Sequence, residues 1–415
     1  MRSLQNSSLK KRRSLGQIGL TQANTPRNNY KPRRSDLRIS QPGFQLLVPD
    51  LGPATWAPRP KQRPGFGKSA QTTPRSARTD SQQTKPLFER RRLTDWQRKE
   101  LLDFPQVYYL DSAPPEEPRS PTGLHKHDAI ACRYEVCHGL GQGTFATVYA
   151  ALDHKHQRKV AVKVAREGAE FQKAALRETE FLNAMRRSYA SANYCVELLH
   201  FFTFRGHRVL VLEFCALSLR QRLQAINRLS VPETLMLAKQ LVHGVSQLHA
   251  KGIVHSDLKP ENLMFETELC RKLRLIDLGA ASPHKKPLYQ QVQTLYYRAP
   301  EVTFGFAYNR AIDMWSVGCV AAEAVLGKPL FCGKDEWDQL WCAAEYIGPP
   351  PPGFLEKAPR KAEFLAYKSR RVAGSKSLGD LIRHPKLLSF VEACLKWDPA
   401  SRLTTAECLV NRLFK

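Results

Sequence analysis

The stretch His255-Ser256-Asp257-Leu258-Lys259-Pro260-Glu261-Asn262 sets a carboxylate, an ammonium and a carboxamide at positions 257, 259 and 262. Phosphoryl transfer can use that set: the Asp accepts the proton of an attacking hydroxyl, the Lys steadies the transferring group, and the Asn holds a metal. A second charged pair is readable upstream. Lys163 ends the apolar strand Val160-Ala161-Val162, and a buried ammonium is expensive to desolvate without a partner. Glu178 is the candidate partner, because it lies in Phe171 to Met185, where Phe171, Ala174, Ala175, Glu178, Phe181, Leu182 and Met185 recur at helical spacing.

Other elements must position these groups. Tyr134-Glu135-Val136 leads into Gly141-Gln142-Gly143-Thr144-Phe145-Ala146-Thr147-Val148, a strand-turn-strand whose small residues let backbone N–H groups close over phosphates. Ala146 replaces a third glycine there. Leu273 to Ile276 reads as a short strand ending in Asp277-Leu278-Gly279. Ala299-Pro300-Glu301, Asp313-Met314-Trp315-Ser316-Val317-Gly318 and Trp397-Asp398-Pro399 with Arg402 follow in that order. Taken singly, Lys163 is a strand-end charge, Asp277 a turn residue and Glu178 a helix surface residue. In this one order they resemble the signature of the eukaryotic protein kinases. The resemblance implies an α+β, bilobal kinase fold, with a β-rich N-lobe over 134–213 and an α-helical C-lobe over 214–415. It implies that Asp277 and Asn262 hold Mg2+ (or Mn2+) on ATP, with Leu278 in an apolar slot. It also implies structural roles for Asp313 and for a buried Glu301–Arg402 ion pair.

Composition separates the chain into two materials. The first hundred residues carry 22 Lys and Arg against 6 Asp and Glu, a large share of the net charge of +26. Ser, Thr, Gln, Asn, Pro and Arg dominate, so 1–86 is expected to be a disordered basic tail. Such a tail meets acidic partners or nucleic acid, although sparse aromatics argue against base stacking. Lys10-Lys11-Arg12-Arg13 has the form of a nuclear import signal, and Arg33 to Ile39 that of a docking peptide. The ten cysteines form no Cys-x-x-Cys pair, which suits free thiols in a reducing compartment. No window approaches the roughly 18 apolar residues of a membrane span, and the N-terminus lacks the apolar core of a signal peptide. The expectation is an intracellular protein of cytoplasm or nucleus, with no membrane partner.

The segment between tail and catalytic region narrows the family. Leu93 to Phe104 reads as a short amphipathic helix, with Thr94 and Gln97 forming a capping box and Pro105 stopping it. Val107-Tyr108-Tyr109-Leu110 reads as a strand, and this apolar pair of elements, within 87–133, is expected to dock on the catalytic domain. Together with His127 to Tyr134, the run Phe202-Thr203-Phe204-Arg205-Gly206-His207, Ser256 in the catalytic loop, and Tyr296-Tyr297-Arg298, it resembles the class II dual-specificity tyrosine-phosphorylation-regulated kinases of the CMGC group. That family implies Ser/Thr phosphorylation of proteins near Pro and Arg, and autophosphorylation of one activation-segment Tyr.

Here the chain departs from the family. Counting back from Glu301, the autophosphorylated Tyr falls on Gln291, and the first Arg that would hold its phosphate falls on Leu295, while Arg298 is kept. Ser256 stands where most such enzymes keep a third cation. The activation segment, which includes Thr294, is therefore expected to be held by packing and neutral hydrogen bonds without a phosphate. Tyr289 is the alternative acceptor. Glu261 remains to attract a basic residue upstream of the acceptor, but Gln221 replaces a common acidic residue, so the Arg preference is expected to weaken.

Leu210 to Cys215 reads as a strand entering the hinge. The resemblance implies that Glu213 and Cys215 meet the adenine edge, that Leu212 is the gatekeeper, and that Leu140, Val148, Ala161 and Leu263 or its neighbour sandwich the ring. Cys215 is a site for covalent modification if exposed, and an inert thiol if buried. Ile347 onward opens a CMGC-type insert, basic from Lys357 to Lys376, that reads either as a docking element or as a loop. Three functions stay open: a monomeric Mg-ATP-dependent kinase, a catalytically weak scaffold, and a nucleic-acid-associated protein whose tail supplies the affinity.

Overall fold

The computed structural model describes residues 93–410, except 112, 189–192, 268–271, 285–287 and 289. The expectations for the tail (1–86), the Lys10–Arg13 motif, Arg33–Ile39 and Tyr289 lie outside the described residues. The first lobe is an antiparallel sheet in the order β1-β2-β3-β4-β6-β5, from β1 (Ala129–Ile130), β2 (Tyr134–Gln142), β3 (Ala146–Asp153), β4 (Arg158–Ala165), β5 (Leu198–Phe204) and β6 (His207–Glu213). Val160, Val162 and Val164 alternate onto one buried face with Val209, Val211 and Phe204, as period-two patterning requires. A helix, Ala169–Ser188, covers part of the sheet and carries Glu178 inward.

Beyond Glu213 the chain leaves this sheet. Leu217–Ser218 pairs instead with Leu263–Phe265, and the rest is mainly helical. The helix Ala311–Leu326 is apolar nearly all round, and its residues from Ile312 to Ala324 are buried, so it serves as the core of the second lobe. Gly318 is needed on it: an added Cβ would lie 2.7 Å from Cys394 Cβ of the neighbouring helix Pro385–Cys394. Arg402 and Glu301, 3% and 1% exposed, meet in two hydrogen bonds of 2.7 and 2.9 Å. Arg402 also donates to the carbonyls of Lys396 and Ala311, so its fork is filled.

The element before the two lobes docks, but not through an apolar face. The helix Asp95–Asp103 has the Thr94–Gln97 capping box, yet its buried residues are Gln97 and Glu100, and Leu102 faces solvent. Arg205 is the anchor. It stands with Gly206 in the two-residue turn between β5 and β6, both at positive φ, the geometry a tight hairpin needs. From there it donates to Glu100 at 2.8 Å and to the Arg119 carbonyl at 2.8 Å, and its guanidinium lies 4.7 Å from the Trp96 ring centre. Phe104 then packs edge-on against Phe202. Val107–Leu110 is not a strand: the Tyr108 and Tyr109 N–H groups both donate to the one carbonyl of Cys132, so no ladder forms.

The insert is not an open loop. Its helices Pro352–Glu356 and Lys361–Ala366 bring Phe354 and Phe364 edge-on against the buried Phe304. Three of its seven basic residues from Lys357 to Lys376 are paired, Arg360 with Glu336 and Glu363, Arg371 with Asp338 and Glu345, and Lys376 with Glu345, while Lys357, Lys368 and Arg370 are exposed.

Candidate active site

Strand β4 delivers Lys163 to the cleft between the lobes, and the helix Ala169–Ser188 delivers Glu178 to it. Lys163 Nζ lies 2.7 Å from both Glu178 oxygens and 2.7 Å from Asp277 Oδ1. Burial opposes the Lys163 charge, but the two carboxylates outweigh it and hold the ammonium protonated above the ordinary lysine range. Burial likewise disfavours the Asp277 charge, yet Lys163, with help from Lys259 and His255, brings that carboxyl down to about 2. Asp277 is thus a carboxylate at any physiological pH.

The catalytic-loop groups form a second cluster. Lys259 Nζ reaches Asp257 Oδ2 at 2.6 Å and Thr294 Oγ1 at 3.0 Å. Thr294 donates to Asp257 Oδ1 through its N–H (3.0 Å) and its hydroxyl (2.8 Å), which locks the carboxylate's orientation. The Asn262 amide N–H donates to the Asp257 carbonyl at 2.8 Å, so its oxygen is the end a cation takes. Below, Asp313 accepts from the backbone N–H groups of His255 and Ser256 and bonds the His249 ring. Three of the residues at positive φ, Ser256, Asp277 and Gln293, lie in this region. Each costs of order 1 kcal/mol and is held by such bonds, including Gln293 N–H to the Ser256 carbonyl at 2.9 Å.

A cavity opens beside these groups, lined by Leu140, Val148, Ala161 and Met264 with Val196, Leu212, Glu213, Cys215, Asn262 and Asp277. Its apolar walls suit a flat ring, and its polar end suits phosphate. Of the two candidates for one wall, Met264 lines the cavity, while Leu263 points into the core at 0% exposure. Neither Gly141, paired with Val148 near the end of β2, nor Gly143, in the turn that follows, lines it; the Gly143 N–H donates to the Ala146 carbonyl, and the adjacent Phe145 packs edge-on against Phe171. Cys215 is buried, which pushes its thiol up to about 12, so little thiolate forms and the inert reading holds.

The activation segment is tied by neutral groups. The buried Gln293 amide donates to the Ile312 carbonyl (2.9 Å) and the Ser316 hydroxyl (2.8 Å), and its oxygen accepts the Ala299 N–H (2.9 Å). Leu295 is buried and Gln291 exposed. Arg298 spends its donors on the carbonyls of Val292 and Gln293.

Sequence reasoning missed Gln293, Val196 and Arg220. Arg220 Nε lies 2.7 Å from Glu261, Nη1 2.5 Å from Glu323, and Nη2 2.8 Å from the Tyr297 hydroxyl. Gln221 completes a capping box with Ser218, a signal readable as Ser218-Leu219-Arg220-Gln221.

Residues 134–414 match the protein kinase domain family, the class that this fold and cleft define. Among similar proteins, the dual specificity tyrosine-phosphorylation-regulated kinase 4 of Homo sapiens is 32% identical over 76% of this chain and 67% of its own length. The putative dual specificity tyrosine-phosphorylation-regulated kinase 3 homolog of Drosophila melanogaster is 31% identical over 77% of this chain and 44% of its own. The chain spans roughly half to two-thirds of the length of these relatives. It belongs to the dual-specificity tyrosine-phosphorylation-regulated kinase family.

Proposed function

We propose that this chain is an ATP-dependent protein kinase that phosphorylates Ser and Thr of protein substrates, with its activation segment set without phosphorylation. The observation that carries the reading is the simultaneous closure of two charge clusters, Lys163–Glu178–Asp277 and Asp257–Lys259–Thr294, beside one apolar cavity. ATP is read with its adenine between Leu140, Val148 and Ala161 on one side and Met264 on the other, and with its edge toward the backbone of Glu213 and Cys215. Lys163, fixed by Glu178, then meets the phosphates. Asp257, oriented by Thr294 and Asn262, receives the proton of the substrate hydroxyl, and Lys259 balances charge on the transferring group.

No group of three or more His, Cys, Asp or Glu side chains gathers as a metal site among the described residues. Asp277 and Asn262 alone fit a Mg2+ (or Mn2+) that takes its remaining ligands from phosphate and water. Such an ion, when bound, neutralises phosphate charge. For the segment, the Gln293 amide bonds and the buried Leu295 support an ordered state that needs no phosphate, and Arg298 has carbonyl partners already. Incubating purified protein and Asp257→Asn with Mg-ATP and a basic Ser/Thr protein tests the reading. Transfer by the wild type alone agrees with it. Intact nucleotide binding with no transfer by either protein favours the scaffold reading.

The excess positive charge over the first hundred residues supports a further role for the tail in holding acidic proteins or nucleic acid, with Lys10 to Arg13 directing nuclear entry. Binding that weakens steeply with salt and disappears on deleting 1–86 is its signature. No described helix is long and apolar enough to cross a membrane.

A further inference from the structure

The acidic subsite beside the catalytic loop is already occupied, from within the chain. Glu261 stands four residues beyond Asp257, in the turn Pro260–Asn262, and lines the same cavity. Glu323 projects from the helix Ala311–Leu326 and is fully buried. Tyr297 follows Thr294 by three residues and donates to Glu323 at 2.7 Å. Catalytic loop, activation segment and central helix thus turn two carboxylates and a phenol toward one point, a pocket with the right chemistry to seize a substrate guanidinium. Arg220, at the start of the helix Leu219–Ile226, has its own guanidinium there and contacts all three. Its side chain is 24% exposed, so its charged head is largely withdrawn from water. A substrate Arg cannot reach Glu261 Oε1 or Glu323 Oε1 without displacing it.

We propose that Arg220 is a specificity-determining residue: it fills the acidic subsite as an internal surrogate for a substrate arginine, so that this kinase selects no basic residue upstream of its acceptor. The inference rests on the kinase reading above and deepens it. The energetics favour the internal ligand. An arginine held by its own backbone loses no translational freedom on pairing, whereas a substrate arginine must lose it. Displacing Arg220 would also strand a buried cation and return two carboxylates to competition with a new donor. The second Glu261 oxygen, Oε2, is enclosed and has no hydrogen-bond partner, so the carboxylate is half satisfied and would take a further donor if Arg220 were gone.

The test is a ratio, so that any loss of folded enzyme cancels. For wild type, Arg220→Ala and Arg220→Lys, kcat/KM is measured on two peptides differing only by Arg or Ala at each upstream position in turn. The wild type should give a ratio near one at every position. Arg220→Ala should raise the ratio by about 10-fold or more at one upstream position, through KM, as expected for a newly exposed close charge pair. Arg220→Lys, which keeps a cation in place, should stay near the wild type. Adding Glu261→Gln to Arg220→Ala should cancel the gain. A wild-type ratio already well above one, or an unchanged ratio in Arg220→Ala, overturns the proposal and leaves Arg220 as a structural brace. If no peptide is phosphorylated by any variant, the kinase reading fails instead. Equilibrium binding of the same fluorescent peptides then reads the same ratio without turnover.

Discussion

At the floor of the cleft, Lys163, Glu178 and Asp277 join three charges at 2.7 Å, and Asp257 and Lys259 join two more at 2.6 Å. Further along the chain, residues 291–298 are held by an amide, a buried leucine and backbone carbonyls, with the neutral hydroxyls of Thr294 and Tyr297 bonded to Asp257 and Glu323. The difference separates two demands on charge. Phosphoryl transfer needs fixed charge whatever the history of the protein, because developing charge on the transferring group must be met by groups already in place. On the proposal above, ordering the activation segment needs only cohesion, which a phosphate can supply and which the four partners of the Gln293 amide supply instead. On that reading, a neutral brace stands where a phosphate switch would act.

The comparison can be attacked at each end. The largest effect is expected from Asp257→Asn, which should lower kcat by roughly 10²-fold to 10⁴-fold with nucleotide affinity retained, as read by steady-state kinetics and nucleotide titration. Next, Glu301→Gln leaves the buried Arg402 without its counter-charge and should cost about 3–5 kcal/mol of stability, measured by denaturant unfolding. Gln293→Ala strips an amide with several buried partners, and should cost about 3 kcal/mol and slow transfer with no change in phosphorylation. Were the segment held by phosphate instead, Gln293→Ala would matter little. Asp277 gives a pH signature. Its folded carboxyl lies at about 2 against an ordinary 3.8. It therefore contributes stability, about 2 kcal/mol, that is present above pH 4 and is lost as pH falls toward 2. Acid titration of unfolding free energy should show that loss, and Asp277→Asn should lack it. The smallest effect belongs to Gln291→Tyr with Leu295→Arg, which restores an acceptor and a cation. Its activity should stay within about twofold of the parent, because the brace already supplies the order.

How much of this was legible depended on distance along the chain. The Thr94–Gln97 capping box is local, and its residues announce it. The Lys163–Glu178 pair could be read because a lysine in an apolar strand needs a counter-charge and the following helix offers an inward carboxylate, although the strand runs on past Lys163 to Ala165. The strand expected at 107–110 failed because its sequence has strand propensity but the Tyr108 and Tyr109 N–H groups converge on the Cys132 carbonyl instead of alternating along a partner strand. Choosing between Leu263 and Met264 turned on one residue of register in the strand Leu263–Phe265, which decides which side chain faces the cavity. The sequence of the helix Asp95–Asp103 predicts apolar docking, yet the contact runs through Glu100 and Arg205, 105 residues apart. Arg220 was invisible for the same reason: its carboxylate partners lie 41 and 103 residues away, and nothing in Leu219-Arg220-Gln221-Arg222 distinguishes it from a surface cation.

The most direct test of the central claim compares two preparations of the bacterially expressed protein, one treated with a broad-specificity phosphatase and one untreated. Both are mapped by tandem mass spectrometry between Asp277 and Glu301 and assayed for transfer from Mg-ATP. The account predicts equal activity in the two, with no phosphate in that segment needed for it. Activity that disappears with a phosphate removed from the segment, and returns when the phosphate is restored, would contradict it.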